Sequence, residues 1–137
     1  MIIRNCAGGL VFTGDKVLLI RNDKHEWSFP KGVVAQGASV KASAVSRIEV
    51  ETGVASKILA PAGKTNYEFY SITRTKPVHN NISWFVMSSE SDETRPNSDA
   101  GVEECGFFPV EEALDMITYS QDKSLLMMAY QKYKELS

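Results

Sequence analysis

A chain of 137 residues with 43% hydrophobic side chains is long enough to bury an ordinary core and short for two, so a single domain over residues 1–137 is expected. Its formal net charge of -2, with Lys and Arg scattered rather than blocked, gives no footprint for nucleic acid. The opening MIIRNCAGGLVF, broken by Asn and two glycines, reads as neither a signal sequence nor a membrane span, and the two cysteines, Cys6 and Cys105, lie in no zinc-ligand spacing; a cytoplasmic protein with free thiols is expected.

Residues 4–13 and 16–21 are β-rich runs separated by Gly14-Asp15, the pattern of a hairpin. The loop NDKHEW leads to SFPKG, where Pro30 excludes helix and Gly32 suggests a sharp turn. From Ser39, a plausible N-cap, to about Thr52 the residues are mostly helix formers, and Gly53 is a stop signal. SKILAPAGKTNYEFYSIT and HNNISWFVMSS flank RTKPV and predict a second, longer hairpin. ESDETRPNSDAG reads as a surface loop, VEECGFFPV as a strand, VEEALDMI as a short helix begun after Pro109, and DKSLLMMAYQKYKEL as a terminal amphipathic helix. Strands and helices in this order predict a mixed α/β (α+β) fold with helices covering a sheet.

The segment from Gly32 to Val54 resembles the signature box of the Nudix (MutT-like) family: Gly, five residues, Glu, seven residues, Arg-Glu, an aliphatic, any residue, Glu-Glu, any residue, Gly, an aliphatic. With the first glycine on Gly32, the last falls on Gly53 and the aliphatics on Ile48 and Val54, without insertion or deletion. The flanks WSFPKG and EVETGV, and the later FFPVEEALDMITYSQDKSLL, are also similar to the family. The resemblance implies an α/β/α sandwich around a mixed sheet, and a hydrolase of phosphoanhydrides using Mg²⁺ or Mn²⁺.

The acidic positions of the box depart from that pattern. Its first Glu falls on Ala38, its Arg-Glu on Ser46-Arg47 and its Glu-Glu on Val50-Glu51, and Ala35 stands where many members carry a further Glu. Residues spaced three and four apart share one helix face, so positions 47, 50 and 51 present a cation, an apolar group and one acid. Arg47 and Glu51 are spaced for an i,i+4 ion pair, worth about 0.3–0.5 kcal/mol if exposed. Glu49 lies roughly opposite Arg47 around the helix and does not replace the missing acids. Glu51 is therefore the one box residue left for a catalytic or metal-binding role, and Glu103 and Glu104 are the outside acids that could supplement it.

KTNYEFYSITRTKPVHNNISWFVM is similar to the diadenosine tetraphosphate hydrolase branch, which implies a nucleoside or dinucleoside polyphosphate as the small-molecule partner. On that resemblance Lys31 is a phosphate ligand. Arg47 stands where the box has Glu, and its guanidinium can contact phosphate directly. Tyr67 and Phe69 share a strand face that can either stack a base or pack in the core, and His79, with Arg74 and Lys76 near the hairpin turn, can meet a distal phosphate or simply face solvent. Tyr119 and Lys123 are similar to a tyrosine and lysine that this branch places near the polyphosphate. Three functions stay open: a nucleotide-binding protein with hydrolysis weak or lost, an active metal-dependent pyrophosphohydrolase, and a non-catalytic interaction or regulatory module.

Overall fold

The computed structural model describes residues 1–137. The strands β1 (Ile2–Thr13) and β2 (Lys16–Arg21) form the expected hairpin about Gly14-Asp15, but they pair only at Phe12↔Val17 and Thr13↔Lys16. Beyond that point they diverge, and two short strands enter the gap: β3 (Trp27–Ser28) pairs with β2 and β4 (Lys31–Val33) with β1. SFPKG thus joins two short strands, and Gly32 lies within the second of them rather than at a sharp turn. Strands this short carry no periodicity of their own; the free edges of β1 and β2 create them.

On its other edge β1 runs parallel to β6 (Lys76–Ser88), from Ile2↔Val78 to Phe12↔Ser88. The long β5 (Lys57–Ser71) lies antiparallel to β6, and β7 (Glu104–Pro109) closes on the outer edge of β2, giving one mixed seven-stranded sheet. The connection between β5 and β6 occupies 72–75 rather than RTKPV. Lys76, Pro77 and Val78 already belong to β6, because Ser71, Tyr70 and Phe69 offer them partners. Pro77 sits near the start of the strand, where a missing amide donor is tolerated.

The centre of the sheet is buried on both faces, whereas β5 is largely exposed. Leu10 and Phe12 of β1 point into one core with Ala113 of α2 (Val110–Met116) and Leu125, Leu126 and Ala129 of α3 (Ser120–Leu136). Ala7 and Val11 point into the other, with Ala44 and Ile48 of α1 (Val40–Thr52). Period-two alternation sends successive residues to opposite sides, and helices cover both, which gives the α/β/α sandwich. Phe12 stacks on Tyr133 at 4.7 Å and on Tyr130 at 5.6 Å, fixing α3 against the sheet.

Helix α1 begins and ends where its sequence says it should. Ser39 is extended at φ -68° and ψ 128°, and its hydroxyl accepts from the Ala42 amide at 3.2 Å; Gly53 is left-handed at φ 72° and its N–H reaches the Glu49 carbonyl at 2.9 Å. The remaining C-terminal carbonyls are satisfied by the loop before β7. Arg95 N–H donates to Thr52 O, Asn97 N–H to Glu51 O, and the Asn97 side-chain amide to Val50 O.

Candidate functional site

The face of α1 singled out in the sequence lies beside β4. Arg47 Nε donates to Glu51 Oε2 at 3.3 Å, and the stem of Arg47 runs across Gly32, where an added Cβ would meet Arg47 Cδ at 2.6 Å. Gly32 is therefore required by close approach of the arginine, not by turn geometry. The ion pair is not the exposed one that spacing alone suggests: Glu51 is 3% exposed, whereas Val50 is 48% exposed. Burial raises the Glu51 pKa, opposed by the charge and hydrogen bond of Arg47 and by Lys31. Its second oxygen, Oε1, is buried without a hydrogen-bond partner.

Two clefts open where β1 and β2 diverge. One, of about 390 Å³, is lined by Arg4, Lys31, Gly32, Arg47, Glu51 and Asn80. The other, of about 620 Å³, is walled by Tyr67, Phe69, Trp84 and Tyr119, with Glu26 and Asp122 at its polar side. Lys31 and Tyr67 line both. Tyr67 and Phe69 stack at 6.0 Å, and Lys31 Nζ lies 6.0 Å from the Tyr67 ring centre. The Tyr119 hydroxyl donates to Glu26, which also accepts from Asn22; these bonds lower the Glu26 pKa, and the same bond raises that of Tyr119. Burial raises Asp122, with Lys31 acting against it.

Lys31, Arg47, Glu51, Tyr67 and Tyr119 are thus brought together, and four other expected residues are not. His79 lies across from Glu68 and bonds it at 2.9 Å and Asn81 at 3.0 Å, while its neighbour Asn80 shares the cleft face with Tyr67. Strand alternation turns His79 away. Glu103 and Glu104 lie beside Arg21, at 4.0 and 3.5 Å, and line neither cleft. Lys123 is also outside both clefts; in that helical turn it is Asp122 that lines the larger one. The sequence reading missed Arg4, Glu26, Asn80, Trp84 and Asp122, which come together only through strand register and the packing of α3.

The NUDIX domain model matches residues 3–128. The chain belongs to the Nudix family. It is 29% identical over 136 residues to the protein named MutT4 of Mycobacterium tuberculosis, an alignment covering 90% of this chain and 53% of that one, so the chain spans about half the length of that relative. It shares its fold with a C. elegans Ap4A hydrolase solved as a binary complex, at TM-score 0.71 and 17% identity, covering 96% of this chain and 98% of the other. An ADP-ribose pyrophosphatase from Streptococcus suis superposes at TM-score 0.73 and 19% identity, covering 96% and 92%.

Nudix hydrolases use divalent metals such as Mg²⁺ or Mn²⁺, so the box helix must be tested against that need. The free Glu51 Oε1 is the one feature that suits a metal. Its companion oxygen is held by a guanidinium, Val50 offers no donor, and no three His, Cys, Asp or Glu side chains are grouped to hold an ion. A hard divalent cation requires a shell of oxygens, and a fixed positive charge beside its only carboxylate opposes it. The residues present do not fit the metal.

Proposed function

We propose that this Nudix protein binds a nucleoside polyphosphate or dinucleoside polyphosphate, with hydrolysis weak or lost. The carrying observation is the Arg47–Glu51 pair, a guanidinium fixed where the box layout calls for a metal-binding carboxylate. The base stacks in the aromatic cleft against Tyr67, and the phosphates extend past Lys31 toward Arg47. Arginine contacts phosphate directly, so binding does not need a bridging ion.

The test combines thermal stabilisation and product release across nucleoside triphosphates and dinucleoside polyphosphates, in chelator and in Mg²⁺ or Mn²⁺. Stabilisation in chelator with no appreciable turnover is expected. Metal-dependent turnover at about 1 s⁻¹ or faster would instead establish a second reading, an active pyrophosphohydrolase. That reading draws its support from the unpartnered Glu51 Oε1, a buried carboxylate oxygen free to accept a cation.

A further inference from the structure

Arg4 has no counterpart in the box and lies far from it in sequence, yet its guanidinium is held with care. It sits directly across the parallel β1–β6 pairing from Asn80. Asn80 is 2% exposed; its Oδ1 accepts from Arg4 Nε at 2.8 Å, and its Nδ2 donates to the Tyr67 hydroxyl at 2.9 Å. The guanidinium carbon lies 5.6 Å from the Phe69 ring centre. Buried amides need hydrogen-bond partners, and this one joins two residues that line the clefts. With Nε engaged and the ring beneath it, the guanidinium keeps its terminal amino groups free: neither has a hydrogen-bond partner, and no carboxylate lies within 4.0 Å of the side chain.

The smaller cleft therefore holds three cations, Arg4, Lys31 and Arg47, against one carboxylate, Glu51. Only Arg47 has an ion-pair partner. Such an excess of positive charge on a concave surface suits an oxyanion, and a planar guanidinium offers paired donors to the oxygens of a phosphoryl group.

We propose that Arg4, positioned by the buried Asn80, completes with Lys31 and Arg47 a metal-independent site for the terminal phosphate groups of a polyphosphate chain. Where that chain carries a base, the proposal rests on the nucleotide reading above; the oxyanion site itself does not. Because Asn80 grips both Arg4 and Tyr67, it sets the spacing between the phosphate end and the stacking end of the ligand. Asn80 is a positioning residue, and Arg4 is the ligand.

The experiment is calorimetric titration in EDTA, using inorganic tripolyphosphate and the mono-, di- and triphosphates of adenosine and guanosine. Wild type is expected to bind the triphosphates more tightly than the monophosphates. Arg4→Met keeps an apolar stem over Phe69 while removing the charge, and should weaken tripolyphosphate and nucleoside triphosphates by about tenfold, the scale of one charge-assisted contact. Monophosphate binding should change by less than about twofold, because the base and first phosphate lie in the other cleft. Asn80→Leu should lose triphosphate selectivity with Arg4 still present, and the triphosphate affinity of both variants should fall less steeply with salt. A merely structural Arg4 would leave the salt dependence and the tri- to monophosphate ratio unchanged, and that result overturns the proposal. So does failure of wild type to bind tripolyphosphate in EDTA. If tripolyphosphate binds through Arg4 and no nucleotide does, the oxyanion site stands and the nucleotide reading falls. If Asn80→Leu fails to fold, Arg4→Met decides.

Discussion

Glu51 and Val50 reverse the ordinary partition of side chains: on adjacent positions of one helix the glutamate is buried and the valine faces solvent. The packing of α1 therefore still directs position 51 inward as a polar site. The i,i+4 pairing with Arg47 was legible from spacing alone, but the burial of Glu51 was not, because it depends on β4 and the loop after β6 closing over the helix. Burial leaves the folded-state pKa of Glu51 raised in spite of Arg47. A carboxyl with a raised folded pKa contributes stability that is fully present below its unfolded value, about 4.3 for Glu, and lost as pH rises through the folded value. Glu51→Gln removes that loss, so its Tm should exceed that of wild type at pH 7 and converge with it near pH 4. A lower Tm for the variant at pH 7 would mean that the ion pair outweighs the cost of burying the charge. Arg47→Ala, which strands the carboxylate, should lower Tm at pH 7, and Glu51→Gln should then raise Tm by more in that variant than it does in wild type; an equal gain in both would show that the two residues are not coupled.

The helices and both hairpins were legible because their signals are local: a serine N-cap, a left-handed glycine stop, alternating strand residues. The short strands β3 and β4 were not, since edges supplied from elsewhere in the chain define them, and neither was the part played by the loop before β7. That loop reads as polar surface, yet its Arg95 and Asn97 cap the last carbonyls of α1. Asn97→Ala should lower unfolding free energy in urea by about 1 kcal/mol, the usual worth of one hydrogen bond, without changing the slope of the transition. No change would show that water replaces the side-chain amide. β4 and α1 meet through Gly32, whose missing side chain gives Arg47 its path. Gly32→Ala must displace Arg47, and a mobile side chain can yield where a backbone cannot. The variant should fold but bind tripolyphosphate about as weakly as Arg47→Ala does, a comparison made by parallel titrations in EDTA. Wild-type affinity in Gly32→Ala would mean that Arg47 reaches the phosphate from another position.

At the scale of the whole molecule, one divergence between β1 and β2 creates both clefts, and the residues that line them come from nearly every element. Box spacing disclosed only the α1 and β4 share, whereas Arg4 with Asn80, and Tyr67 with Trp84, required the pairing of β1, β6 and β5. This separation between an intact frame and an altered helix face makes the frame testable by restoration. Ala38, Ser46 and Val50 are exposed, so larger polar side chains there meet solvent rather than core. Ala38→Glu, Ser46→Arg, Arg47→Glu and Val50→Glu together would place carboxylates at 47, 50 and 51 on one face and return a charge pair between the loop and the helix. Without an ion the three acids repel, so the quadruple variant should melt below wild type in EDTA and regain stability with millimolar Mg²⁺, while wild type barely responds. Calorimetry should then detect Mg²⁺ binding in the variant alone, and release of phosphate or nucleotide from a dinucleoside polyphosphate should appear only there. If the variant binds Mg²⁺ but releases nothing, the clefts do not present a phosphoanhydride to the box helix, and restoring the carboxylates is not sufficient for hydrolysis. If wild type already matches the variant in metal-dependent release, the Arg47–Glu51 pair gives way to an ion during turnover, and the reading of this helix as a metal-free phosphate site is wrong.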